Sequence, residues 1–193
     1  SNGHDICSFG YCLTDEKFKI IKKEDIVINP ESKIVLSKKG EVAKIHLAYS
    51  QEYFNKQNPF DFYYPKIKKL LTDRKHVLFG HAIQSDFSYL NIACRRYNLP
   101  AIEMEGYDTQ KLHHLIYKTP HIESLEKIVE ELEIEKDFLY HKSSEDAHAT
   151  MLVAKRIFEE YELDFATFKD KYSDCLVKNV CPKPKEKNIS RNQ

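Results

Sequence analysis

Three residues have the type and spacing to do chemistry: Asp86, His141 and Asp146. Residues 85–97 read as a helix that stops before Asn98-Leu99-Pro100. On it Asp86, Leu90, Ala93 and Tyr97 fall at i, i+4, i+7 and i+11, a stripe otherwise apolar or aromatic. Such a stripe faces a core, where a carboxylate costs on the order of several kcal/mol unless it is paired or binds a cation. The plain alternative is that Asp86 decorates a first helical turn, where the helix dipole favours anions. Its context points further. A short buried strand ends at Gly80-His81, and sites in α/β folds gather beyond the carboxyl ends of strands.

Asp146 opens the longest expected helix, residues 144–161, with Thr150, Val153 and Ile157 following at the same spacing. Here the plain alternative is a capping box, Ser143 with Asp146 three residues on. His141 lies five residues upstream of Asp146. A lone loop histidine is usually a surface group. Beside a metal-binding aspartate, an imidazole with an ordinary pKa near ~6.5 suits taking a proton from water.

These groups need a frame, and the chain supplies one. Residues 6–13 and 18–28 alternate as two strands of a hairpin around Thr14-Asp15-Glu16-Lys17. Residues 30–59 lack strong periodicity and read as an irregular connection with a short helical piece. A helix over 60–71, a buried strand over 76–80, the helix over 85–97 and a short strand over 101–107 follow. Helices are expected over 108–117, 124–132, 144–161 and 165–172. From Ser173 the pattern decays into a basic, proline-bearing segment. The expected organisation is one domain over residues 1–172 and a flexible basic tail over 173–193. Strands, then helix–strand–helix, then helices indicate an α/β or α+β layered domain.

Composition excludes several classes. The chain has 193 residues, 41% hydrophobic and 31% charged, and suits one globular domain with a tail. Its formal net charge is zero, which argues against coating nucleic acid by bulk electrostatics. None of the five glycines forms a phosphate-cradling loop. No run of apolar residues is long enough for a membrane helix, and the N-terminus lacks signal-peptide regions. Five scattered cysteines without a CxxC pair read as reduced thiols of a cytoplasmic protein. A zinc site built on His113, His114, His121 and cysteines is weak. Adjacent histidines project about 100° apart on a helix, so they read as surface residues.

Taken in order, several segments resemble the DEDDh family of 3′→5′ exonucleases, which includes the proofreading epsilon subunit of bacterial DNA polymerase III and ribonuclease T. Residues 80–86, Gly-His-Ala-Ile-Gln-Ser-Asp, followed by Phe87-Ser88-Tyr89-Leu90 and 95–100, are similar to the family's second motif. Tyr107-Asp108-Thr109 resembles its strand-to-helix Asp-Thr junction, and 124–128 its Ser-Leu helix. His141 and Asp146, with four residues between, match the third motif. Ile45-His46 resembles an Ile-His-Gly-Ile segment, with Leu47 in place of Gly. The resemblance covers about residues 5–162, by motif order rather than by any single motif.

It implies a ribonuclease H-like mixed sheet flanked by helices and two divalent metals, Mg²⁺ or Mn²⁺. It also implies that Asp146 is a direct metal ligand, that Asp86 helps hold the metal site and that His141 is the general base. The implied partners are 3′ ends of single-stranded DNA or RNA and, as for the epsilon subunit, a DNA polymerase. The implied products are nucleoside 5′-monophosphates. Ala82 and Ser85 stand where the family often has Asn and Phe, which bears on substrate grip.

The family's first motif, Asp-x-Glu-Thr, has no counterpart, because residues 1–10 align with what normally follows it. Asp5 and Glu16 are poor substitutes by position. That first strand would lie between the hairpin and the strand at 76–80, and its absence leaves unpaired backbone on both sides. The expectation is that about a dozen further residues, a strand and its lead-in with Asp-x-Glu, precede Ser1 in the natural protein. The alternative function is a nuclease-like fold without catalysis, serving as a nucleic-acid or protein-binding module. DNA versus RNA, a proofreading role and the oligomeric state stay open at this level.

Overall fold

The structure is a computed structural model that describes residues 5–34, 48–135 and 142–180. Strands β1 (Ser8–Thr14) and β2 (Ile20–Val27) pair antiparallel, from Ser8 opposite Val27 to Thr14 opposite Ile20. Asp15 closes their turn, its Oδ1 accepting from the amides of Lys17 and Lys19 at 2.9 Å each. The short helical piece expected in 30–59 is α1 (Gln51–Asn55), capped by Ser50. Ile45-His46 lies outside the described residues. Helix α2 (Phe60–Thr72) turns Phe60, Tyr64 and Ile67 inward, the apolar face its spacing predicts.

Next come β3 (Phe79–Gly80), α3 (Ile83–Arg96), β4 (Met104–Asp108) and α4 (Thr109–Tyr117). Helices α5 (Leu125–Glu131), α6 (Ser143–Glu160) and α7 (Phe165–Lys171) complete the helical layers. Strand β3 is shorter than the 76–80 run, and α3 begins two residues before the expected Ser85. A flexible tail from Ser173 is corrected. Ser173–Cys175 forms a 3₁₀ turn and Leu176–Asn179 forms β5, antiparallel to β4. The strand is held by tertiary bonds that a four-residue pattern does not announce. Asn179 exchanges amide hydrogen bonds with Asn91 at 2.8 and 3.1 Å, and donates to the Ile102 carbonyl at 2.8 Å. Residues 181–193 lie outside the described residues.

The expected mixed sheet is present: β3 runs parallel to β4, and β5 antiparallel to it. Two apolar cores flank the strands. One joins Ile26 and Ile28 with α2 and with Ile83, Phe87 and Leu90 of α3. The other joins Tyr107 and Leu112 with Val153, Ile157 and Phe158 of α6 and with Phe168. The strands fall into two separate sheets, β1-β2 and β3-β4-β5. Among the described residues no ladder joins β1 to β3. The division falls between β1 and β3.

Candidate functional site

A cavity of about 1180 Å³ fills the space between the two sheets. It is lined by β1 and β3, by Asp86 on α3 and by Asp146, Thr150 and Ala154 on α6. It exceeds the roughly 300–1,000 Å³ of ordinary small-molecule pockets. Both sequence-predicted aspartates therefore face one space. His141 lies outside the described residues, immediately before Lys142, the N-cap of α6.

The two aspartates hold equivalent positions. Each is the fourth residue of its helix, counting from Ile83 and from Ser143. Neither helix has a side-chain cap hydrogen bond at its N-cap, Ala82 or Lys142. The capping-box reading of Ser143 and Asp146 is thus corrected. Ser143 is already helical, and its hydroxyl hydrogen-bonds that of Ser8 on β1 instead. Asp146 is half-buried, and its carbonyl accepts from the Thr150 hydroxyl at 2.8 Å.

Asp86 keeps an exposed surface toward the cavity. Surrounding protein nevertheless raises its carboxyl from the ordinary range to about 6, first by burial, then through the charges of Asp108 and Asp146. Water in the open cavity screens part of this effect. Burial is the larger cause, and the smaller one is neighbouring negative charge that a cation would relieve.

Asp108 is the group that sequence reading left without a role. It is 3% exposed at the end of β4. Its Oδ1 accepts from the amides of Ala82 at 3.1 Å, Gln110 at 2.9 Å and, more distantly, Lys111 at 3.4 Å. The available signal was its position, an Asp between an apolar strand and a helix, where N-caps sit. Asp5 is committed elsewhere, 2.7 Å from Arg96 and accepting from Ser32, so it does not replace a missing carboxylate.

Other histidines and thiols stand apart. His113 is a buried group rather than a surface one, its ring tilted against that of Tyr117 and its Nε2 3.4 Å from Glu131, and burial lowers its pKa. His114 instead meets the Thr119 hydroxyl at 3.1 Å, so the adjacent pair does not converge. Burial, then Asp108, pushes the Cys175 thiol up to about 11, far from a reactive thiolate.

Two cavity-facing carboxylates fit a hard divalent cation, because Mg²⁺ is commonly held by one or two carboxylates, with waters and substrate phosphates completing its shell. Among the described residues no group of three or more His, Cys, Asp or Glu is placed to hold a metal ion. The pair by itself falls short of such a group. Also among the described residues, no helix is long and apolar enough to cross a membrane.

Residues 18–157 match a family model described as DEDDh_C, DNA polymerase III subunit epsilon-like, C-terminal domain. The chain belongs to the DEDDh family. Similar solved structures carry the same DEDDh fold. One, described as 3′-end specific recognition of histone mRNA stem-loop by 3′-exonuclease, aligns with a TM-score of 0.67 at 18% identity, covering 80% of this chain and 72% of that one. A full-length 3′-exonuclease aligns at 0.66 and 16% identity, covering 93% and 83%. The nuclease domain of 3′hExo, a DEDDh family member bound to rAMP, aligns at 0.65 and 15% identity, covering 92% and 86%. No curated protein matches the chain. The ribonuclease H-like mixed α/β architecture expected from the motifs is the architecture of these DEDDh neighbours.

Proposed function

We propose that this chain belongs to a metal-dependent 3′→5′ exonuclease that hydrolyses phosphodiester bonds at the 3′ ends of single-stranded DNA or RNA. The observation that carries the reading is the convergence of Asp86 and Asp146 on one cavity from the fourth positions of two helices. Family membership supports it. Two of the similar structures are described with RNA or rAMP, which supports a ribonucleotide 3′ end as one substrate.

In this reading Asp146 would be a direct ligand in a site for two divalent cations and Asp86 would help hold that site. Mg²⁺ or Mn²⁺ there supplies water activation and stabilisation of the leaving oxygen. His141 takes the proton from the attacking water, and the product is a nucleoside 5′-monophosphate. The two helices act as rigid mounts, since α3 and α6 each bury an apolar face behind their aspartate. The further donors such a site needs are not among the described residues, and the gap between the edges of β1 and β3 has the place of a strand that could carry them. That strand would also pair the two sheet edges.

The test is hydrolysis of 5′-labelled single-stranded DNA, RNA and dinucleotides by the protein with Mn²⁺ or Mg²⁺. Wild type should shorten substrates from the 3′ end, and His141→Ala should abolish turnover with folding retained. Equal turnover in that variant would refute the role of His141. A binding module without catalysis is the second reading, favoured by the lack of a three-ligand group among the described residues. It predicts nucleic-acid retention with no Mn²⁺ binding.

A further inference from the structure

Helix α3 starts in an unusual way. Its N-cap, Ala82, sits in the left-handed region with φ 51° and ψ 43°, a conformation alanine adopts at a cost. The helix has no side-chain cap of its own. The turn is instead tied to the neighbouring β4–α4 junction. Asp108 Oδ1 accepts the Ala82 amide at 3.1 Å from 26 residues away. The next residue, fully buried Thr109, places its hydroxyl 3.3 Å from both the Gly80 carbonyl oxygen and His81 Nδ1. Its single proton serves one of these at a time. On its other side His81 Nε2 lies 3.2 Å from the Glu123 carbonyl, which also accepts from the Gln110 side chain at 2.9 Å. All three residues of the turn, Gly80, His81 and Ala82, are therefore held from Asp108 and Thr109. Asp86 follows four residues after Ala82, one helical turn away.

We propose that Asp108 is a positioning residue: through the Ala82 amide it locks the left-handed turn that aims Asp86 into the cavity. The inference rests on Asp86 belonging to the proposed cation site, but the brace itself is read from hydrogen bonds alone. Asp108 serves two helices at once, capping α4 through Gln110 and bracing the start of α3 through Ala82. A side chain that keeps the cap and loses the brace separates the two roles. Serine is such a residue. Its hydroxyl caps helices well but is one bond too short to reach across to Ala82.

The experiment compares Asp108→Ser and Asp108→Asn with wild type by amide hydrogen exchange at Ala82 and by calorimetric titration with Mn²⁺. Asp108→Asn retains an acceptor oxygen in the same place. It should keep Ala82 protected and bind Mn²⁺ within about threefold of wild type. Asp108→Ser should leave folding cooperative, release the Ala82 amide to exchange, and weaken Mn²⁺ binding about tenfold or more, as removal of groups that orient metal ligands does. Unchanged protection of Ala82 in Asp108→Ser would overturn the proposal. So would unchanged Mn²⁺ affinity in that variant, or an Asp108→Asn as weak as Asp108→Ser, which would assign the effect to charge rather than placement. A wild-type protein that binds no Mn²⁺ removes the cation-site reading instead, and exchange at Ala82 then decides the brace by itself.

Discussion

The two walls of the cavity present the same residue from the same helical position, yet they are supported differently. On the α3 wall, Asp86 follows a turn fixed by hydrogen bonds from the buried end of β4. On the α6 wall, Asp146 rides on a helix whose far half is packed in the second core and whose start rests on the hairpin. Gly10 of β1 lies so close to Ser143 that a Cβ there would fall 2.0 Å from the Ser143 carbonyl carbon. Lys23 of β2 reaches Glu145 at 2.9 Å. Asp86 is thus held by a specific brace and Asp146 by packing against a hairpin whose inner edge is unpaired in the described structure. The comparison teaches that perturbing the hairpin should reach Asp146 and leave the Asp86 turn in place.

The largest expected effect comes from the anchor of the α6 wall. The ring of Phe158 meets those of Phe18, Phe79, Phe165 and Phe168 at centroid distances of 4.8 to 6.1 Å, tying α6 to the hairpin turn, β3 and α7. Phe158→Ala should destabilise by about 3–5 kcal/mol in urea denaturation. A loss below about 1 kcal/mol would mean that the second core does not hold that wall.

Next is Gly10→Ala, which must displace α6 or the hairpin. The expected loss is about 1–3 kcal/mol, with weaker Mn²⁺ binding but unchanged amide protection at Ala82. Loss of protection at Ala82 would show that the two walls are not independent.

A smaller effect concerns charge. The Asp86 carboxyl titrates higher in the folded protein than in the unfolded chain, so the folded state binds the proton more readily between the ordinary carboxylate range and about pH 6. Its contribution to stability is therefore present at low pH and is lost as pH rises through about 6. Metal-free Asp86→Asn should melt higher than wild type at pH 7.5, and the gap should close as pH falls toward 4. His81, whose pKa is lowered first by burial, acts in the opposite sense. It is present in both proteins and cancels in the difference. A gap that widens on acidification would contradict a raised Asp86 carboxyl in the folded protein.

Smallest is Ala82→Gly, which removes the left-handed strain and should stabilise by about 0.5–1 kcal/mol in thermal unfolding. Destabilisation would mean that the Ala82 methyl packs in a way that offsets its backbone conformation.

Much of this frame is legible in the sequence because it is written locally. The alternation in 6–13 and 18–28, the apolar stripes of α2 and α6, and the stop at Asn98-Leu99-Pro100 each report their own element. The order of Asp86, His141 and Asp146 among these elements carries the resemblance, a family model matches residues 18–157, and Asp86 and Asp146 do line one cavity. What the sequence hides is tertiary. Strand β5 depends on the Asn91–Asn179 pair, which joins residues 88 apart. Ser143 looks like a cap because its spacing fits one, but its hydroxyl is taken by Ser8 from 135 residues away. Asp108 reads only as part of a strand-to-helix junction, and the fold alone brings the Ala82 amide within its reach.

In the proposed function Asp86 and Asp146 serve the same divalent cation site. Calorimetric titration of Mn²⁺ into wild type, Asp86→Asn and Asp146→Asn at pH 7.5 tests it most directly. Wild type should bind Mn²⁺, and each substitution should weaken binding about tenfold or more without loss of the folded state. Mn²⁺ affinity unchanged in both folded variants would contradict the account.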